Sequence, residues 1–515
     1  MRIAIVFISL LMSVENFSAQ EQVSLGLCDT LPKGFYNKDI DTLIIQNGMG
    51  YCESPFKTLD KRIQNFKNLT FLEFYSDYTP EENHNATLPS EITQLSKLNA
   101  VSTNVPNAAL LQMTGLKSLT LHSLGNLLLL ADVGFAELTS LEELSLSFSA
   151  LKKDYQTRGI AQLKNLKRVT LSNPNQAIVD EVLSNPNIES LSILYTNENI
   201  VMDFRYATLL KSITLQNNQL KEIPTSIFNL KNLEKLHISY NEISKISEEI
   251  VAVTALKELV FVNNKLVNVG GFISELSNLE KLDISGNKEL TSIPAEIGTL
   301  SNLKILAASN CNLGDVPKEI SNCSVLEELY IDNNVLTLVN IDFSNLKKLT
   351  TLTLHKNKIT RIEQSMFELP LLAKMDLSDN SIKELPRSIK EMKNLIFFSA
   401  VNNQIERLPE DFGECSLLET ISVYNNKIVN LPSSIFQLTE LRTLYCGNNE
   451  ITLFATGFSS LKKLQALEIQ NNPLKSFPAE IYNLPSLDKV WVSKSYNNLN
   501  GFRESAKNPM TIFIR

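Results

Sequence analysis

The 515-residue chain is 43% hydrophobic and 20% charged, with only 17 Gly and 18 Pro, which excludes a disordered or collagen-like polypeptide. A formal charge of -8 without any dense Lys/Arg cluster excludes nucleic acid as a natural partner. Length alone would suggest about three or four domains at the usual size, unless an internal repeat sets the organisation, as it does here.

The amino terminus carries Arg2, an apolar run from Ile3 to Met12 and small residues at Ser18 and Ala19. This is the layout of a secretory signal peptide, predicting cleavage after Ala19 and a secreted or periplasmic product. The competing reading, a membrane anchor, fails on length, because the run is well short of the roughly 20 residues a spanning helix needs, and no later segment supplies one. Lipid attachment at Cys28 is set aside because Leu27 is too large for the cleavage position before it.

Residues 20–68 read as an amino-terminal flank that covers the open end of a core. Of the six cysteines, only Cys28 and Cys52 lie outside the repeated sequence, and export lets a disulfide between them persist. The other four, Cys311, Cys323, Cys415 and Cys446, fall in repeat columns and read as buried thiols.

From residue 69 to 209 an apolar pattern recurs at irregular intervals. Its members are Leu69, Leu72, Phe74; Leu116, Leu119, Leu121; Leu141, Leu144, Leu146; Leu166, Val169, Leu171; and Ile188, Leu191, Ile193. The position that later holds Asn is occupied here by Asp77, Leu124, Ser149, Pro174 and Thr196, so these units are expected to bulge or carry loops.

Residues 210–486 form twelve regular units. The frame L-x-x-L-x-L-x-x-N-x-L begins at Leu210 and returns every 23 residues, with one step of 24, as far as Leu464. Its polar position is Asn218, Asn241, Asn264, Asn287, Cys311, Asn334, Asn357, Asn380, Asn403, Asn426, Asn449 and Asn472. Apolar positions four and six alternate with polar neighbours, so each unit predicts a short strand with one face inward. A column of Asn side chains, with donors and an acceptor, would satisfy the turn backbones that leave the sheet. A Pro after the turn, as in Ile223-Pro224, Leu385-Pro386 and Leu431-Pro432, suits a segment outside any ladder. Residues 487–515 predict a last strand, starting with Leu487, Val490 and Val492, and a carboxy-terminal cap.

The frame, the period and the Asn-or-Cys alternative resemble the leucine-rich-repeat family, in its 23-residue LPxxIxxLxxLxxLxLxxNxL subclass. That resemblance implies an α/β-type repeat solenoid, a curved horseshoe with a parallel sheet on the concave face and short helices or turns on the convex face. Relatives of the subclass occur among scaffolds that bind small GTPases and among exported bacterial proteins, so the fold carries over and the partner does not.

Family members commonly bind partners through positions three, five and seven of the concave sheet. In this chain those positions expose Phe397, Tyr424, Tyr445 and Trp491 over the last strands, with Tyr330 further upstream. Aromatic side chains of this kind anchor protein interfaces, although aromatics also favour strands as such. Trp491, the only Trp, weighs for binding. Asp332, His355 and Ser378 occupy position seven of successive units and would be neighbours in the order of a catalytic triad. An open sheet, however, offers no oxyanion hole and no water-excluding pocket, and Asp332 with His355 are too few ligands for a metal. No phosphate loop, HExxH, paired CxxC or GxSxG is present.

The sequence therefore predicts an exported, non-enzymatic binding module for a protein, or second a glycan, with no cofactor, no metal and no membrane span. The alternatives are an intracellular scaffold of the small-GTPase-binding type and, last, a hydrolase built on Asp332, His355 and Ser378.

Overall fold

A computed structural model describes residues 5–6, 22–26, 40–46, 59, 61–75, 88–104, 108–122, 134–148, 156–196, 199–474, 478–494 and 511–514. The expected Cys28–Cys52 disulfide lies outside these residues, as does most of the expected leader. The chain forms two compact units, residues 1–241 and 242–515.

In the first unit each strand pairs in parallel with the next: Gln22–Gly26, Thr42–Gln46, Phe71–Tyr75, Ala100–Thr103, Ser118–Leu121, Glu143–Ser147, Arg168–Ser172, Ser190–Leu194, Ser212–Gln216 and Lys235–His237. Ile5–Val6 pairs beside Ser24–Leu25. Two strands thus fall within the stretch read as a flank, and Ala100–Thr103 is a repeat that the apolar frame passed over. In that strand Val101 and the fully buried Thr103 take the inward places.

The second unit continues the same construction from Glu258–Val260 to Lys489–Val492, with the expected cap contributing a last parallel strand, Thr511–Ile514. Its strands in the regular repeats are three residues long, one inward side chain between two outward ones. Residues in register are one repeat apart, as in Leu329 beside Leu352 and Met375 beside Phe398. The inward columns are buried throughout, and each such side chain contributes about 1.5–3 kcal/mol relative to exposure.

The return path of most repeats is a 3-10 turn, for example Arg387–Glu391 and Ser433–Gln437. A repeat of 23 residues has few to spare, and a 3-10 turn advances ~2.0 Å per residue against ~1.5 Å for an α-helix. Pro294, Pro317, Pro386, Pro409, Pro432 and Pro478 enter these turns with φ between -63° and -72°, the range the ring imposes. The first unit holds the one α-helix among the described residues, Gln176–Leu183, started by the Asn175 side chain accepting from Ile178 N–H.

The residue before the ladder position is left-handed in repeat after repeat. Asn217, Asn263, Asn310, Asn333, Asn402, Asn425, Asn448 and Asn471 have φ between 50° and 56°, and Gly286 has φ 77°. Asn and Gly adopt this region at least cost. Tyr195, Tyr240, Lys356 and Asp379 occupy the same conformation. In the second unit these exposed amides also bond to one another: Asn333 Nδ2 donates to Asn310 Oδ1 at 2.5 Å, Asn402 to Asp379 at 2.6 Å, Asn425 to Asn402 at 2.8 Å and Asn471 to Asn448 at 2.6 Å.

Candidate protein-binding surface

Behind the outward face, the Asn column fixes the turns. Asn357 is typical: its Nδ2 donates to Ile331 O and Leu354 O, each at 3.0 Å, and its Oδ1 accepts from Leu336 N–H at 3.1 Å. Asn334, Asn380, Asn403, Asn426, Asn449 and Asn472 repeat this arrangement. In the first unit Asn218 and Asn241 bridge in the same sense, to Ile193 O and Leu215 O. Asn264 Oδ1 accepts from Ile243 N–H and Asn287 Oδ1 from Leu266 N–H. At Cys311 the thiol donates weakly to Ile284 O at 3.4 Å, and Leu290 N–H turns instead to Asn287 O at 3.0 Å.

Cys323, Cys415 and Cys446 are buried free thiols, whereas Cys311 is only half-buried. Burial pushes Cys311, Cys323 and Cys415 up to about 11 and raises Cys446 as well, so none has thiolate character near neutrality.

On the outward face of the second unit, register places Ser422, Tyr445, Glu468, Trp491 and Phe513 in one row across five strands. Tyr445 meets Trp491 edge to face at 5.9 Å between centroids, and Trp491 stacks on Phe513 at 4.9 Å and 12°. Phe513 is 37% exposed, so the row is a half-buried aromatic ridge whose rings remain accessible. Glu468 lies between Tyr445 and Trp491 and is engaged by Gln470 Nε2. Burial, with Glu468 adding to it, raises the Tyr445 hydroxyl above its ordinary range, so it remains a neutral donor.

Phe397 stands apart from this ridge, at position three, with Lys374 Nζ 5.9 Å from its ring centre. Tyr424 is half-exposed, two residues beyond Ser422, the register partner of Tyr445. Tyr330 is distant in register; its hydroxyl donates to Glu328 at 2.8 Å, and burial first, then Glu328, pushes it up to about 12. The aromatics read from the sequence are spread over several strands. Tyr445 and Trp491 come together, and Phe513, absent from that set, completes the group.

Asp332, His355 and Ser378 do not assemble as a triad. His355 Nδ1 lies 2.8 Å from Asp332 Oδ1 but out of line for a hydrogen bond. The carboxylate of Asp332 accepts instead from Ser309 Oγ and Thr353 Oγ1, both at 2.9 Å. Ser378 Oγ is 2.7 Å from Ser399 Oγ and accepts from Val401 N–H. A serine-histidine contact does occur where the frame was irregular: Ser102 Oγ lies 3.3 Å from His122 Nε2 and 3.0 Å from the Tyr75 hydroxyl. Burial lowers the pKa of His122 and raises that of Tyr75. Among the described residues no cluster of three His, Cys, Asp or Glu side chains is placed to hold a metal, and no helix is long and apolar enough to cross a membrane.

Family models for a leucine-rich-repeat region match residues 397–508, and those for leucine-rich repeats match 208–266, 278–300 and 347–405. The matched segments coincide with the parallel strands and the Asn column. The chain is a leucine-rich-repeat protein. Its open stack of parallel strands backed by short turns is the leucine-rich-repeat solenoid of the horseshoe class. No curated protein matches it in sequence. The Toll–Spatzle complex of Drosophila is similar at 19% identity and TM-score 0.62, over 88% of this chain and 64% of that one. The plant peptide hormone receptor RGFR1 in complex with RGF2 is similar at 19% identity and TM-score 0.58, over 97% and 88%. An internalin from Listeria monocytogenes shares 21% identity and TM-score 0.53, over 62% and 89%. At these identities the likeness is one of leucine-rich-repeat fold.

Proposed function

We propose that this leucine-rich-repeat chain is an exported, non-catalytic recognition module that engages a protein on the outward face of the sheet in its second unit. The observation that carries the reading is the ridge of Tyr445, Trp491 and Phe513, three outward rings packed in succession. Such rigid, half-exposed rings anchor interfaces because they bury large area with little loss of side-chain freedom. Tyr424, Phe397 with Lys374, and Tyr330 form the outer contacts. Solenoids of this fold whose described structures include bound partners, RGFR1 with RGF2 and Toll with Spatzle, support a protein or peptide as the ligand class. A catalytic role is opposed by the geometry, since Ser378 Oγ is engaged by Ser399 Oγ and the Asp332 carboxylate by Ser309 and Thr353. Export rests on the amino-terminal sequence, with the mature chain starting at Gln20.

The test is a pull-down from the native surroundings with the mature chain, beside a Tyr445→Ala, Trp491→Ala, Phe513→Ala variant matched in melting temperature. A partner retained by the first and lost by the second supports the ridge. Equal capture by both refutes it. Mass spectrometry of the native protein decides the leader: a start at Met1 would remove export.

A further inference from the structure

A second surface lies in the first unit. The left-handed position before the ladder is filled by Asn or Gly in most repeats, because other side chains there cost about 1–2 kcal/mol each. Two of the four departures are tyrosines, Tyr195 at φ 58° and Tyr240 at φ 56°, with Asn217 at φ 55° between them. Backbone bonds hold them in register: Tyr195 N–H donates to Gln216 O at 2.9 Å and Asn217 N–H to Ser239 O at 3.2 Å. Both rings project from the surface, Tyr195 being 52% and Tyr240 50% exposed. Two strand steps of ~4.8 Å separate them by roughly 10 Å.

We propose that Tyr195, Asn217 and Tyr240 form a carbohydrate-binding platform for a neutral glycan chain. The fold requires the left-handed backbone here and gains nothing from a phenol ring in it, so the strain is retained for what the rings do at the surface. Two aromatic faces flanking an amide match the alternation of apolar C–H faces and hydroxyl groups along an oligosaccharide, with the amide supplying donors and an acceptor. Charge selects the ligand class. Tyr195, Thr196, Gln216, Asn217, Gln219, Ser239 and Tyr240 are all uncharged, and Glu242, just beyond, is paired with Lys265 Nζ at 3.0 Å. A protein hot spot would be expected to add Arg or an acid to the rings; a neutral polyhydroxy chain needs neither.

Asn is the residue that other repeats use at this position, so Tyr195→Asn and Tyr240→Asn relieve strain and remove the rings together. The full chain and both variants would be run by affinity electrophoresis in gels cast with β-glucan, mannan, xylan or glycol chitin, with alginate as an anionic control. Titration calorimetry would then use the matching hexasaccharide. The expected result is retardation by at least one neutral polysaccharide. Affinity should weaken by about tenfold or more in each variant, with a melting temperature equal to or above that of the parent chain. The Tyr445→Ala, Trp491→Ala, Phe513→Ala variant should bind the sugar normally, which separates this site from the ridge. Absence of retardation by every neutral polymer, equal binding by the tyrosine variants, or preference for alginate would each overturn the proposal.

Discussion

Replacing Asn357 with Ala should destabilise the second unit by about 2–4 kcal/mol, and the structure shows where that cost arises. Ile331 O and Leu354 O each keep another amide donor, from Asn334 and Asn380 respectively, so the lost Nδ2 bonds contribute only ~0.5 kcal/mol each. The larger part is Leu336 N–H, a buried donor that loses the Asn357 Oδ1 acceptor, at about 1–3 kcal/mol. Cys311→Ala is the internal control. There the corresponding donor, Leu290 N–H, already bonds Asn287 O, and only weak thiol bonds are lost, so the cost should stay below ~1 kcal/mol. Urea unfolding compares the two variants. Hydrogen exchange read by mass spectrometry localises the effect, because repeat arrays unfold through neighbouring units and a single global value can mislead. The expected outcome is accelerated exchange at Leu336 in Asn357→Ala. Equal costs for the two variants, or an unchanged Leu336 amide, would refute the reasoning.

Lys356→Gly should raise stability by about 1 kcal/mol, since Lys356 holds φ 51° on an exposed turn and Gly carries no penalty there; a lower urea midpoint would count against it. His122 has its pKa lowered by burial, so the unfolded chain binds its proton more readily. Its contribution is present above about pH 6.5 and is lost as pH falls below that. Thermal unfolding from pH 7 to pH 5 should therefore show a fall in stability that is smaller in His122→Gln, and an identical pH profile would exclude His122. Free-thiol titration at pH 8 should find Cys311, Cys323, Cys415 and Cys446 unreactive in the native chain and reactive in denaturant, given their raised pKa values. With Cys28 and Cys52 bonded, those four are the whole denatured count; a count of six would show that bond absent.

The architecture was legible because a strict period makes every column visible: Leu at four positions and Asn at one place the strands and turns before any coordinate is known. Where spacing varied, columns could not be aligned. Ala100–Thr103 escaped because buried Thr103 stands where an apolar residue was sought, and Tyr75, Ser102 and His122 escaped because they are 27 and 20 residues apart. Phe513 could be placed beside Trp491 only through strand pairing. The left-handed column did leave a sequence signal, the doublets Asn217-Asn218, Asn333-Asn334, Asn402-Asn403 and Asn425-Asn426, whose first member serves the backbone and second the ladder. Asp332, His355 and Ser378 share a column without forming a hydrogen-bonded chain, because neighbouring strands bring residues close without aiming them; short hydroxyl side chains find each other, as Ser378 finds Ser399.

Trp491 is the only tryptophan in the chain and sits at the centre of the proposed contact, so its fluorescence reports that site alone. Titrating the captured partner into the mature protein should shift Trp491 emission saturably to shorter wavelength as the ring is desolvated, at the midpoint measured independently by surface plasmon resonance. A partner that binds with that affinity while leaving the emission unchanged would contradict the claim that recognition occurs on the Tyr445, Trp491 and Phe513 ridge.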